Sequence, residues 1–132
     1  MNYDLLLKEH HLKVTPQRLG ILKLMHVTGH ISIEDLYESI KKQFSSISLA
    51  TLYKNINSML ETSLIKEVKA PYVKARYEIS KEPHAHLVCT ECGEFQDVMF
   101  SVDKIAQSIA SNNNFNVNDT SLIISGTCPK CQ

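Results

Sequence analysis

The stretch "SISLATLYKNINSMLETSLIKEVKAPYVKARYEI", residues 46–79, decides the fold. Its first half has the period of a helix. Ser48 is an N-cap candidate, and Leu49, Leu52, Ile56, Met59 and Leu60 recur on one face. The opposite side carries Ala50, Thr51, Lys54, Asn57 and Ser58, with Tyr53 beside it. A face kept only for solvent is usually rich in Glu and Lys. This one is small, hydroxylated, amide-bearing and basic, so it can enter a DNA major groove and offer donors to phosphates and bases. The second half holds two short strand patterns, "LIKEV" and "RYEI", joined by "KAPYVKA".

Two more helical patterns precede it. In "VTPQRLGILKLM", Thr15 can cap and Pro16 falls at the first helical position, where a missing N–H costs nothing. Leu19, Leu22 and Met25 then recur at helical spacing. In "HISIEDLYESIKKQF", Ser32 with Asp35 resembles a capping box, and Ile33, Leu36, Tyr37, Ile40 and Phe44 form an apolar face. Three helices followed by a hairpin is the order of a winged helix-turn-helix. A plain three-helix bundle with an incidental hairpin has the same periodicity.

Pro83 in "SKEPH" interrupts the pattern and marks a hinge over residues 81–83. The expectation is therefore a winged-helix DNA-binding domain over 1–80 and a small dimerisation and metal-binding domain over 84–132. In the second, "HLVC" and "FQDVMF" read as strands around a turn at "TECGE". "SVDKIAQSIASN" reads as a helix with Val102, Ile105, Ala106 and Ile109 inward, and "FNVND" and "SLIISG" as two more strands. The fold class is α+β, and the second half has too little apolar residue to be comfortable alone.

The bulk properties agree with a globular chain. It has 132 residues, 43 % hydrophobic and 21 % charged, enough for one ordinary domain or two small ones. Net charge is zero, but residues 1–80 hold 11 basic and 8 acidic side chains, and residues 81–132 hold 3 and 6. A mildly basic half joined to an acidic half fits two modules with different tasks. No apolar run reaches the roughly 18–20 residues that span a bilayer. The start, "MNYDLLLKEHHLKV", has a three-leucine apolar core and no small-residue cleavage site. The expected location is cytoplasmic, without a secretory signal.

All four cysteines lie in two Cys-x-x-Cys pairs, Cys89/Cys92 and Cys128/Cys131. A two-residue gap lets both thiolates of a pair turn toward one ion, and two such knuckles complete a tetrahedral four-sulfur site for structural Zn²⁺. Disulfides are disfavoured in a cytosolic chain, and a redox dithiol does not explain two similar pairs. A second set is built of nitrogen and oxygen. His84 and His86 are two apart, so on an extended segment they point to one side. Asp97 lies on the next predicted strand, Glu78 just before the hinge, and His30 in the loop entering the second predicted helix. Such a set suits Fe²⁺, Mn²⁺ or Zn²⁺.

"TPQR", "SLATLYKNINSMLETSLIKE", "RYE", "HAHLVCTECG" and "CPKC", in this order and spacing, resemble the ferric uptake regulator (Fur) family of bacterial metalloregulators. The resemblance covers nearly the whole chain. It implies a homodimeric repressor that binds an operator in double-stranded DNA through an N-terminal winged helix and dimerises through its C-terminal domain. It implies one structural Zn²⁺ per chain at Cys89, Cys92, Cys128 and Cys131, and one regulatory Fe²⁺ or Mn²⁺ at His30, Glu78, His84, His86 and Asp97. Tyr53 and Lys54 match positions on the family's recognition helix, and Arg18, Thr51 and Asn57 complete the expected DNA contacts.

Asp97 resembles the peroxide-sensing (PerR) branch, whereas Glu78 departs from it, since that branch usually has Asp there. Ala85 stands where iron sensors often place a further acidic ligand. "TSLIISG" lacks the His that commonly helps form their additional site, and no Cys is spare for a zinc-sensing site. The resemblance thus points to peroxide sensing, with His30 and His84 as oxidation-sensitive ligands and an iron-responsive repressor as the alternative. From the residues alone, a non-haem metal hydrolase or a zinc-ribbon interaction module stays open. The hydrolase is weakened because no Ser or Cys nucleophile pairs with a base and no general-base motif is present.

Overall fold

The computed structural model describes all residues, Met1–Gln132. The chain divides into two compact units: Met1–Lys69 with Lys74–Ser80, and Ala70–Val73 with Lys81–Gln132.

The first unit holds helices α1 (Tyr3–Glu9), α2 (Pro16–Thr28), α3 (Ile33–Ile40) and α4 (Leu49–Glu61), then strands β1 (Ile65–Val68) and β2 (Arg76–Ile79). Each helix starts on a side-chain cap that satisfies an otherwise orphaned N–H. Asn2 accepts from Leu5, Thr15 from Arg18, Ser32 from Asp35 and Ser48 from Thr51. The end of α4 is a Schellman turn. Ser63 takes a left-handed conformation (φ 61°), its N–H donates to the Leu60 carbonyl, and that of Leu64 donates to Met59. This reversal sends Leu64 and Ile65 straight back into the core, where both are buried.

β1 and β2 pair antiparallel, with Ile65 opposite Ile79 and Val68 opposite Arg76. Ile31 adds a bridge to Tyr77 through two backbone bonds of 3.1 and 2.8 Å. The core gathers Ile21, Leu22 and Met25 of α2, Leu36 and Ile40 of α3, and Leu52, Ile56 and Met59 of α4. Fully burying side chains of this size stabilises the fold by about 1.5–3 kcal/mol each before entropy is counted. Leu7 is also wholly buried in this core, so α1, which the sequence reading left unassigned, belongs to it. Leu49, expected inward, is 44 % exposed because it stands at the first position of α4, ahead of the turn that meets the core.

The second unit holds β3 (Ala85–Cys89), β4 (Phe95–Val98), α5 (Asp103–Asn112), β5 (Ile123–Gly126) and a short 3₁₀ turn, Pro129–Cys131. The strand order is β4-β3-β5, with β3–β4 antiparallel and β3–β5 parallel. A parallel neighbour cannot be reached by a tight turn, so the chain passes through α5 to deliver β5. Two expectations are corrected here. "FNVND" forms no strand, and only residues 123–126 of the last apolar run pair. The apolar stripe of α5 is not inward: Ile105 and Ile109 are 57 % and 60 % exposed, Val102 and Ala106 are half-buried, and only Ala110 is buried. Periodicity reports an apolar face but not whether the same chain covers it.

Candidate metal centres and nucleic-acid face

The four cysteine sulfurs lie within 4.8 Å of one another, and the Cys92 and Cys128 sulfurs are 3.8 Å apart. A regular tetrahedron with Zn–S bonds of about 2.3 Å puts its sulfurs about 3.8 Å apart, so the donor set has the size of a zinc site. The strand register explains the meeting. Cys89 at the end of β3 faces Gly126 at the end of β5, and the Thr90 N–H donates to the Gly126 carbonyl at 2.9 Å. The chain then needs two residues to bring Cys128 alongside. Backbone N–H groups of Cys92 and Cys128 each donate to Cys89 Sγ at 3.4 Å. These donors, Cys128 first, hold the Cys89 thiol well below the usual thiol range, at about 6. Cys131 is pushed the other way, to about 12, first by the Cys128 side chain and then by burial. One sulfur is thus anionic at neutral pH while another keeps its proton, and a divalent cation would replace the shared protons.

Both units supply nitrogen and oxygen donors. In the first unit, the Ile31–Tyr77 bridge sets His30 beside Glu78, with His30 Nε2 3.0 Å from Glu78 Oε2. The Glu78 side chain is 2 % exposed. In the second unit, His86 of β3 lies directly opposite Asp97 of β4, and cross-strand partners share a face of the sheet. His86 Nε2 is 3.4 Å from Asp97 Oδ1 and His84 Nε2 is 3.7 Å from it. The two imidazoles meet edge to face with centroids 4.6 Å apart. His84 Nδ1 is 2.8 Å from the Glu82 carbonyl. A carbonyl only accepts, so Nδ1 is the donor there, and Nε2 is the ring nitrogen turned toward Asp97 and available as a metal ligand. This donor chemistry suits Fe²⁺, Mn²⁺ or Zn²⁺. Sequence reasoning missed Lys81, whose ammonium contacts Asp97 Oδ2. Its place within the expected hinge gave no sign of that.

Along α4, Tyr53 is 39 % exposed, and Lys54 and Asn57 are exposed. Thr51 is half-buried and its hydroxyl accepts from Ser48 at 2.9 Å. Arg18 is tied down: Nε donates to Asn55 Oδ1 at 3.1 Å and Nη1 to the Lys13 carbonyl at 2.8 Å, which braces α4 against the entry to α2. No helix is long and apolar enough to cross a membrane.

Helices, a small wing, a four-sulfur cluster and His/carboxylate groups together define a DNA-binding, metal-responsive regulator. The chain belongs to the ferric uptake regulator family, whose sequence model matches residues 9–125. It is a transcription regulator of that family and not an enzyme. It is 32 % identical over 127 residues to the peroxide operon regulator of Bacillus subtilis (strain 168), covering 95 % of this chain and 88 % of that protein. The Campylobacter jejuni peroxide stress regulator superposes with a TM-score of 0.76 at 38 % identity, covering 99 % of this chain and 100 % of that one. The Vibrio cholerae ferric uptake regulator superposes with a TM-score of 0.75 at 31 % identity, covering 96 % and 100 %.

Proposed function

We propose that the protein is a homodimeric repressor that senses peroxide by oxidation of histidine metal ligands. In this reading Cys89, Cys92, Cys128 and Cys131 hold structural Zn²⁺. A regulatory Fe²⁺ or Mn²⁺ takes His30 and Glu78 from the first unit and His84, His86 and Asp97 from the second. The observation that carries it is the second unit's thiol-free donor set, with two imidazole nitrogens 3.4 and 3.7 Å from one carboxylate oxygen. Likeness to peroxide regulators over nearly the full chain supports it.

Ligands drawn from both units favour one placement of the DNA-binding unit. If that placement sets the dimer's two α4 helices about one DNA turn apart, the metal-loaded form is the one that represses. Tyr53, Lys54 and Asn57 would meet the groove, with Thr51 and Arg18 at its edge. The exposed Ile105 and Ile109 on α5 supply apolar surface for dimerisation.

Fe²⁺ held by these residues would supply the redox chemistry that cleaves peroxide, with the two electrons of the net reaction coming from the imidazole ring. An imidazole C–H of His30 or His84 becomes a carbonyl, peroxide gives up one oxygen and leaves as water, and the ring gains about 16 mass units. An oxidised ring is a poor ligand, so the link between units opens and repression lifts. Carboxylate ligands resist this chemistry, which leaves the histidines as the sensors.

The test is peptide mass spectrometry with an operator-binding assay, before and after mild peroxide, on Fe²⁺- and Mn²⁺-loaded protein. The reading expects oxidised His30 or His84 and lost binding with Fe²⁺, and neither with Mn²⁺. Oxidation confined to the four cysteines, with both histidines intact, would overturn it and leave iron-responsive regulation.

A further inference from the structure

Asp97 serves two kinds of partner in the second unit. Its Oδ1 faces the Nε2 atoms of His84 and His86 at 3.7 and 3.4 Å, while its Oδ2 takes the ammonium of Lys81. The Asp97 side chain is 25 % exposed and that of Lys81 is 44 % exposed. Lys81 therefore neutralises the carboxylate from the solvent side, next to two imidazoles whose ring nitrogens could receive a cation.

We propose that Lys81 is a built-in competitor for the regulatory metal: an intramolecular cation that sets how much metal is needed to fill the site. This rests on the metal reading of His84, His86 and Asp97 given above. A divalent ion at the imidazoles needs Asp97 as a full anion. Lys81 opposes it twice, by holding one of the two oxygens and by placing a positive charge a few ångströms from the incoming ion. The flexible ammonium can be displaced toward water because its stem is half-exposed, so it raises the threshold without blocking the site. A sensor tuned this way stays empty at low metal and fills only when metal outcompetes its own lysine. Without such a counter-charge, Asp97 beside the two imidazoles would hold metal more tightly.

The test is calorimetric titration of the zinc-loaded full chain with Mn²⁺ at about 0.1 M salt, where charges a few ångströms apart are only partly screened. Wild type, Lys81→Gln, Lys81→Arg and His86→Ala are compared. Lys81→Gln should bind Mn²⁺ about tenfold more tightly, from a divalent–monovalent repulsion at roughly 5 Å in a largely aqueous dielectric. Lys81→Arg keeps the charge and should stay within about twofold of wild type. His86→Ala should lose the binding. Unchanged or weaker binding by Lys81→Gln, or tightening by Lys81→Arg as well, overturns the competitor role while the metal site stands. Unaltered Mn²⁺ binding by His86→Ala overturns the site reading and this inference together.

Discussion

The backbone N–H of Cys128 donates to Cys89 Sγ at 3.4 Å, although 39 positions separate them in the chain. That contact ties the last turn of the protein to the end of β3. Cys131→Ser removes one donor from a four-sulfur set and leaves Pro129–Cys131 without its anchor. We expect zinc content to fall from one per chain to near zero and the dimer to be lost. Structural zinc contributes folding free energy on the order of 10 kcal/mol in small zinc peptides. Zinc analysis with sedimentation checks this, and a well-folded dimeric variant would contradict it.

Gly20 in α2 faces α3 at close range. A Cβ there would stand 3.0 Å from Ile40 Cδ1 and 3.2 Å from Phe44 Cε2. Gly20→Val adds three carbons to that contact and should destabilise the first unit by about 1–3 kcal/mol, the range for overpacking. Gly20→Ala, where better helix propensity offsets the tight contact, should change stability by less than about 1 kcal/mol. Denaturant midpoints separate the two.

Lys54 projects from the exposed side of α4. Lys54→Ala should weaken operator binding and, if the ammonium meets a phosphate, lower the salt slope by about one unit. Binding and slope both unchanged would remove α4 from the reading surface.

His30 pairs with Glu78 in the first unit. His30→Ala should leave zinc and dimerisation intact while reducing regulatory-metal affinity. The metal's enhancement of DNA binding should drop by about 1–3 kcal/mol, the usual size of such coupling. Enhancement at the wild-type level in a paired DNA titration with and without Mn²⁺ would sink the bridging role.

Tyr77 is buried in the first core, and burial first, then the neighbouring Glu67 carboxylate, raises its pKa well above the ordinary range. The folded value lies above the unfolded one, so the contribution is full below about pH 10 and is lost as pH rises, because the unfolded chain releases its proton first. Stability should fall more steeply above about pH 10 in wild type than in Tyr77→Phe, which has no proton to release there. Parallel slopes would show that Tyr77 does not govern the alkaline limb.

The sequence by itself determined what local chemistry specifies. Caps at Thr15, Ser32 and Ser48 and apolar spacing within α2, α3 and α4 are properties of short segments. The same holds for each Cys-x-x-Cys knuckle, whose two thiols are brought together by a single turn. It could not show that Leu7 completes the first core, because one wholly buried side chain on a two-turn helix leaves little periodic signal. Nor could it show that Ile105 and Ile109 stay uncovered, since coverage depends on which other surface arrives.

Only tertiary structure decided the pairings between distant segments. The parallel register of β3 and β5 sets Cys89 against Gly126 and so joins the two knuckles. The antiparallel register of β3 and β4 sets His86 against Asp97, and a slip of one residue would turn that carboxylate to the opposite face. The Ile31–Tyr77 bridge brings His30 to Glu78, and Lys81 reaches Asp97 across 16 positions. Residue types constrain which chemistry is possible, but distances between remote side chains follow from strand register and chain path, which no local pattern encodes.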